Sequence, residues 1–368
     1  MSVLAAIGVL ALLIVVHELG HFAAARLQNI HVNRFSIGFG PVLFKYQGPE
    51  TEYALRAIPL GGFVGFPDDE AGDEIPLDDP DLLSNRPILD RAIVISAGVI
   101  ANLVFAYLLI VTQIATIGTP VYTYSPGVII PEVVASETSS APTAAQKAGL
   151  QAGDLVLAVD SKTLPAEQTA LSELMERIQT APGQTLELTI EREGQTLDIP
   201  VTPIADAEGN GKIGVVLAPN QEVSRERSSL FTAFGQGAAE FQRLAVLTVG
   251  GFGQLIMNFG ETAEQVAGPV RIVEIGSTLA RSDAGNLFQF GALISINLAI
   301  INTLPLPALD GGQLALLLVE GLRGKPLPTQ LQEGIMQTGL VVLLSLGVFL
   351  IIRDTANLSV IQDLWQAR

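Results

Sequence analysis

Residues 3–25 read VLAAIGVLALLIVVHELGHFAAA. Val3 to Val16 is an unbroken apolar run, and it leads directly into His17-Glu18-Leu19-Gly20-His21. A helix that crosses a bilayer needs about 20 mostly apolar residues, so this stretch reads as one span with polar groups in its C-terminal part. Ionisable side chains at membrane depth are costly and mark function by default, unless each finds a partner. On a helix, positions i and i+4 share a face. His17 and His21 can therefore reach one metal ion, the spacing of the zinc-binding H-E-x-x-H pattern. Glu18 is one residue round from His17, beside such an ion without ligating it. There it can take a proton from a metal-bound water and pass it to a leaving amine.

A catalytic zinc site needs a third protein ligand and an open position. His31 is the only other histidine and lies just past the first span. Asp310 is the stronger candidate. It ends the nonpolar stretch Asn302-Thr303-Leu304-Pro305-Leu306-Pro307-Ala308-Leu309-Asp310, where two prolines break the helix. Such a break frees backbone groups that lipid cannot satisfy, so it must line a buried cavity.

The whole composition agrees with a membrane protein. The 368-residue chain is 49% hydrophobic and 15% charged, against about 25% charged in an ordinary soluble protein. The absence of cysteine excludes disulfides and thiolate ligands. A net charge of −17 argues against nucleic-acid binding, which needs a basic face.

Three further spans are expected: about 92–115, with Asn102; about 287–309, with Asn297 and Asn302; and about 334–352. Leu244 to Met257 is apolar but short and reads as an interfacial helix. Residues 35–66 have β character, with Gly-Gly at 61–62. Residues 67–90 begin with eight acids between Pro67 and Asp81 and no Lys or Arg, which reads as a solvated loop. Between spans two and three, strand-like runs at 128–130, 133–135, 155–160, 186–192 and 196–201, with a helix at 170–179, describe a small α+β domain. Arg26, Arg34, Lys45, Arg56, Arg86 and Arg91 follow span one, and Arg323 with Lys325 follow span three. The positive-inside rule puts both groups in the cytoplasm and the small domain outside. The lack of a transit-like N-terminus favours a bacterial inner membrane over a plastid one.

The chain resembles the site-2 protease family of intramembrane zinc metalloproteases. His17-Glu18-Leu19-Gly20-His21 and the N-x-x-P-x-P-x-L-D-G pattern from Asn302 to Gly311 are that family's two signatures, in its order and on different spans. Gly61-Gly62-Phe63-Val64 resembles its membrane-associated β-hairpin, Gly98 with Asn102 its second-span motif, and Gly268-Pro269-Val270 an element before its third span. Ala148 to Asp154 resembles the A-G-L-x-x-G-D turn of its PDZ domain.

The resemblance implies a multi-span α-helical membrane protein of four transmembrane helices. A membrane-associated β-hairpin or sheet follows span one, and an α+β PDZ domain is inserted between spans two and three. It divides the chain into membrane core 1–117 (span one about 3–25, span two about 92–115), PDZ domain 118–205, a helical linker 206–285 and membrane core 286–368. It implies Zn2+ as cofactor and cleavage of transmembrane segments of membrane-anchored substrates, such as anti-sigma factors or remnant signal peptides. Membrane lipids and transmembrane-helix substrates are then the partners. The PDZ domain either captures substrate C-termini or acts as a gate. The edge at Gly61, Gly62, Phe63 and Val64 could hold substrate extended by strand addition. Asn302 and Asn297 are amides that could bind substrate backbone or an oxyanion, or pack as interhelical glue. The competing readings are a catalytically inactive PDZ-bearing membrane adaptor and a transporter with intramembrane acids.

Overall fold

The structure is a computed structural model that describes residues 2–69, 75–76, 78–134, 142–206, 208–262 and 266–357. Its first elements are α1 (Ser2–Leu27), β1 (Arg34–Gln47), β2 (Glu52–Gly65), α2 (Ile88–Thr116) and β3 (Thr119–Val133). Then come α3 (Ala144–Ala148), β4 (Leu155–Val159), β5 (Lys162–Thr163), α4 (Thr169–Gln179), β6 (Leu186–Arg192) and β7 (Gln195–Val201). The remainder is β8 (Ile204–Ala205), β9 (Gly211–Lys212), β10 (Val215–Glu226), α5 (Leu230–Met257), α6 (Phe259–Thr262), α7 (Pro269–Ser282), α8 (Ala284–Thr303), α9 (Asp310–Arg323) and α10 (Thr329–Ala356). Two compact units result: Met1–Gly118 with Arg227–Arg368, and Thr119–Glu226.

Among the described residues, four helices are long and apolar enough to cross a membrane: α1, α2, Gly285–Thr303 within α8, and α10. Their outward residues, such as Leu12, Ile100, Val104, Val341, Val342 and Phe349, are exposed, as lipid-facing side chains are. Small residues let α1 and α2 touch: a methyl added to Gly20 would lie 2.8 Å from Ala101 Cβ, the close approach typical of membrane helix pairs. A second contact joins α2 to α5 and α8, through Ala106, Ile110 and Val111 against Ala233, Leu244, Ala292 and Ile296.

Three boundaries depart from the sequence reading. The expected interfacial helix at 244–257 is the second half of the 28-residue α5, capped by Ser229. Gln236, Glu240, Gln242 and Arg243 hide its first half from a hydropathy scan. The third span ends at Thr303, and Asp310 opens a separate helix, α9. Pro305 and Pro307 remove amide donors and bend the chain, and Ala308 adopts φ 68°. The acidic stretch is only partly solvated loop. Residues 70–74 and 77 lie outside the described residues, but Pro67–Asp69 and Leu83–Asn85 form 3-10 turns, and Leu82 is 3% exposed.

Strands β1 and β2 make more than a simple hairpin. Phe44–Gln47 pairs antiparallel with Glu52–Leu55, and Arg34–Ile37 pairs antiparallel with Gly62–Gly65. Arg34–Ile37 also pairs with Glu52–Leu55 in parallel. Each strand is bent into two segments, and the sheet order is 44–47, 52–55, 34–37, 62–65. The bends use left-handed backbone at Gly38, Gly40 and Gly61, which glycine adopts without steric cost. Arg56 braces the fold. It donates to Ser36 Oγ at 2.9 Å and Gly40 O at 3.0 Å, and lies over the Phe63 ring.

The other unit is a sheet of order β10-β3-β4-β6-β7, with β5 on β4. Its core is Val128, Ile130, Val156, Leu174, Leu186, Leu188 and Ile190. The strand run expected at 128–130 lies within β3; of the run expected at 133–135 only Val133, the last residue of β3, is strand, Val134 lies beyond it, and Ala135 lies outside the described residues. The unit extends beyond the expected 118–205, because β10 returns antiparallel along β3 from Val215↔Val133 to Glu226↔Thr119. The turn from Ala148 to Asp154 is built on charge. Asp154, 1% exposed, accepts from the Gln151 amide at 2.8 Å and from Arg192 Nε and Nη2 at 2.7 Å each. Burial pushes the Asp154 carboxyl up, but the bonds from Arg192 and Gln151 outweigh it, so it ionises below its usual range.

Candidate metal centre

His17 and His21 project from one face of α1, one turn apart, with their Nε2 atoms 3.2 Å from each other. Asp310, at the first turn of α9, brings Oδ2 to 3.2 Å from His17 Nε2 and 3.4 Å from His21 Nε2. Their side chains are 10, 12 and 16% exposed. The sequence assembled these three groups from positions almost 300 residues apart, and they meet.

Hydrogen bonding decides what the three atoms can do. His21 Nδ1 lies 2.8 Å from Val94 O on α2. A carbonyl only accepts, so Nδ1 carries the proton and Nε2 presents a lone pair. His17 Nδ1 faces the Asn102 side-chain amide at 3.2 Å. Asn102 is fully buried and its Oδ1 has no partner. Turning the amide by 180° places this oxygen on His17 Nδ1–H and leaves His17 Nε2 bare as well. Asn102 is held in turn by Ser295 of α8, which donates to its backbone carbonyl at 2.8 Å.

Two imidazole lone pairs and a carboxylate oxygen then converge, and Asp310 Oδ2 is buried with no hydrogen-bond partner. Three acceptors this close repel unless a cation lies among them. A tetrahedral ion with bonds of about 2.0–2.1 Å spaces its donors about 3.3 Å apart, which matches the spacing here. The residues present therefore fit a zinc ion with a fourth position open.

Glycines make the room. A methyl on Gly98 would lie 2.7 Å from His17 Cε1 and would also collide with His21 Nε2. The Gly98–Asn102 spacing thus has a plain reading: the glycine admits both rings, and one turn later the asparagine binds one of them. A methyl on Gly311 would lie 2.5 Å from Thr303 O, so only glycine lets α9 start directly against the proline break.

Of the other anticipated residues, Asn302 is at the site, with Nδ2 3.3 Å from His17 Nε2. Asn297 is not brought to the histidines. It sits five residues earlier on α8, about 140° round the helix, and has no polar contact with them among the described residues. His31 is not grouped with His17, His21 and Asp310; its Nε2 lies 3.8 Å from Asp79 Oδ2. Gly62 abuts Glu18: a methyl there would lie 2.8 Å from Glu18 Cγ. The segment 62–65 therefore passes the glutamate. Phe39 packs against Gly61, and Val64 packs against the cluster of Ala25, Ile30, Val32 and Val94. Gly98, Val94 and Ser295 complete the site. Only the Gly98–Asn102 spacing left a signal in the sequence, since a backbone carbonyl leaves none.

A multi-pass membrane protein with two histidines and an aspartate converging between its spans, and a glutamate beside them, has the architecture of a membrane metalloprotease. The chain belongs to peptidase family M50, which matches residues 5–346. It is 60% identical to Putative zinc metalloprotease all3971 of Nostoc sp., over 98% of this chain and 97% of that one. It is 49% identical to Membrane metalloprotease ARASP, chloroplastic, of Arabidopsis thaliana, over 99% of this chain and 80% of that one. It is 29% identical to Protease RseP of Yersinia pestis, over 95% and 97% respectively.

Proposed function

We propose that this chain is an intramembrane zinc endopeptidase that cuts transmembrane segments of membrane-anchored proteins. The observation that carries the reading is the convergence of His17 Nε2 and His21 Nε2, on the spanning helix α1, with Asp310 Oδ2, at the start of α9, at 3.2–3.4 Å. The chemistry a bound zinc supplies at such a site is water activation near neutral pH and polarisation of a carbonyl. His17, His21 and Asp310 hold the ion. Glu18 receives the proton of the attacking water and delivers it to the departing amine. Asn302 Nδ2, beside the metal position, is the donor for the developing oxyanion.

A peptide bond inside a helix is shielded by its own hydrogen bonds, so the substrate must be drawn out. Segment 62–65 pairs with 34–37 on one side, and its other edge has no strand partner among the described residues. A substrate strand added there lies alongside Glu18, with Gly61, Gly62, Phe63 and Val64 supplying backbone. The Thr119–Glu226 unit acts as a PDZ domain that captures substrate C-termini or gates entry. The basic groups after spans one and three face the cytoplasm, which puts this unit on the opposite side. Membrane-anchored regulators such as anti-sigma factors, and remnant signal peptides, are the proposed substrates.

Full-length protein reconstituted in liposomes with a single-span substrate tests the reading. Cleavage inside the span, with one zinc per chain, is expected. Neither cleavage nor stoichiometric zinc would favour the adaptor reading.

A further inference from the structure

Helix α9 carries a metal ligand on its first residue, yet it is joined to α8 only through the Pro305–Pro307 break. Its outward residues Leu318, Val319 and Leu322 are exposed. What holds its far end is an ion pair: Arg91, in the first turns of α2, binds Glu320. The two side chains are 18 and 11% exposed, and Arg91 Nε has no hydrogen-bond partner. Beside them, Ile88 Cδ1 lies 3.6 Å from where a methyl on Gly321 would sit. A buried ion pair gains little over an apolar contact, but removing one partner strands the other charge, so the pair fixes one geometry and penalises its neighbours.

Its position gives that geometry a purpose. Glu320 lies ten residues from Asp310, about 15 Å along the helix. Arg91 lies three residues before Val94, whose carbonyl orients His21, and seven before Gly98, against which both rings pack. Fixing both ends of α9 sets its tilt and axial rotation, and these decide where Asp310 Oδ2 points. We infer that Arg91 and Glu320 are a positioning pair, tying the aspartate-bearing helix to the stretch of α2 that orients the histidines. The inference rests on the reading of His17, His21 and Asp310 as a zinc site.

The test measures zinc affinity by chelator competition in full-length, detergent-solubilised protein, with the visible spectrum of the cobalt-substituted protein and thermal melting of the metal-free protein beside it. Glu320→Gln and Arg91→Gln are expected to weaken zinc at least tenfold and to alter the cobalt spectrum. Glu320→Asp, which keeps the charge and shortens the reach, weakens it less and serves if the neutral variants do not fold. The charge exchange R91E/E320R recovers most of the affinity. Single variants that melt earlier but bind zinc as the wild type does would overturn the inference. So would an exchanged pair that folds without recovering affinity. A wild-type protein that binds no zinc would overturn the metalloprotease reading itself, whereas wild-type binding with unaffected variants overturns this inference alone.

Discussion

The side-chain amide of Asn102 lies 3.2 Å from His17 Nδ1, on the opposite side of the ring from Asp310. It is the acceptor that keeps the His17 lone pair on Nε2. Partners of this kind typically contribute 10–100-fold in metal affinity. Asn102→Ala is therefore expected to weaken zinc by about that factor in chelator competition. Asn102→Asp, which can only accept, should retain most of it.

Gly98→Ala acts on the same rings by volume. The added methyl reaches both imidazoles and is backed by the α2 backbone, so the histidines must move. Zinc affinity should fall at least tenfold, about 1.4 kcal/mol or more, while the protein still inserts into membranes. Metal analysis of membrane-extracted protein checks this.

Gly62→Ala separates catalysis from metal binding. The methyl would press on Glu18 Cγ at 2.8 Å and on Ser36 O at 2.9 Å, away from the three donors. Zinc content should stay at one per chain and kcat should drop about tenfold or more, because displacement of a reacting group by even an ångström is costly. Parallel measurement of bound zinc and turnover on a membrane substrate decides it.

The Asp154–Arg192 pair predicts a pH signature in the β-rich unit. Its folded pKa lies below the unfolded value of about 3.9, so its stabilisation is complete above that value and fades as pH falls through the folded pKa. Asp154→Asn should cost about 2 kcal/mol, less than a fully buried pair because Arg192 keeps some water. It should also remove that part of the acid sensitivity. Hydrogen exchange of the β4 and β6 amides, followed from pH 7 to pH 3, reads both effects.

Much of this was legible because the signals are local and strong. Spans announce themselves by composition, and His17 and His21 declare a shared face by spacing alone, with Glu18 one residue round. Asp310 was legible as a costly acid next to two prolines, but the sequence did not show that it begins a new helix. The two-sided pairing of Arg34–Ile37 escaped because register between four bent segments is a tertiary choice. Strand β10 escaped because Pro219 sits within it, at a shift in the β3 register, and a proline lowers any strand reading. Asn297 looked as suitable as Asn302, and only the turn of α8 separates them. The Arg91–Glu320 pair joins residues 229 positions apart, which no local pattern reveals.

The most direct measurement compares wild type and Glu18→Gln for bound zinc and for cleavage of a single-span substrate in liposomes. Glu18 stands beside the three donors without being one of them. The variant should therefore bind one zinc per chain and lose cleavage by about two orders of magnitude or more. Cleavage at the wild-type rate by a zinc-loaded Glu18→Gln protein would contradict the mechanism.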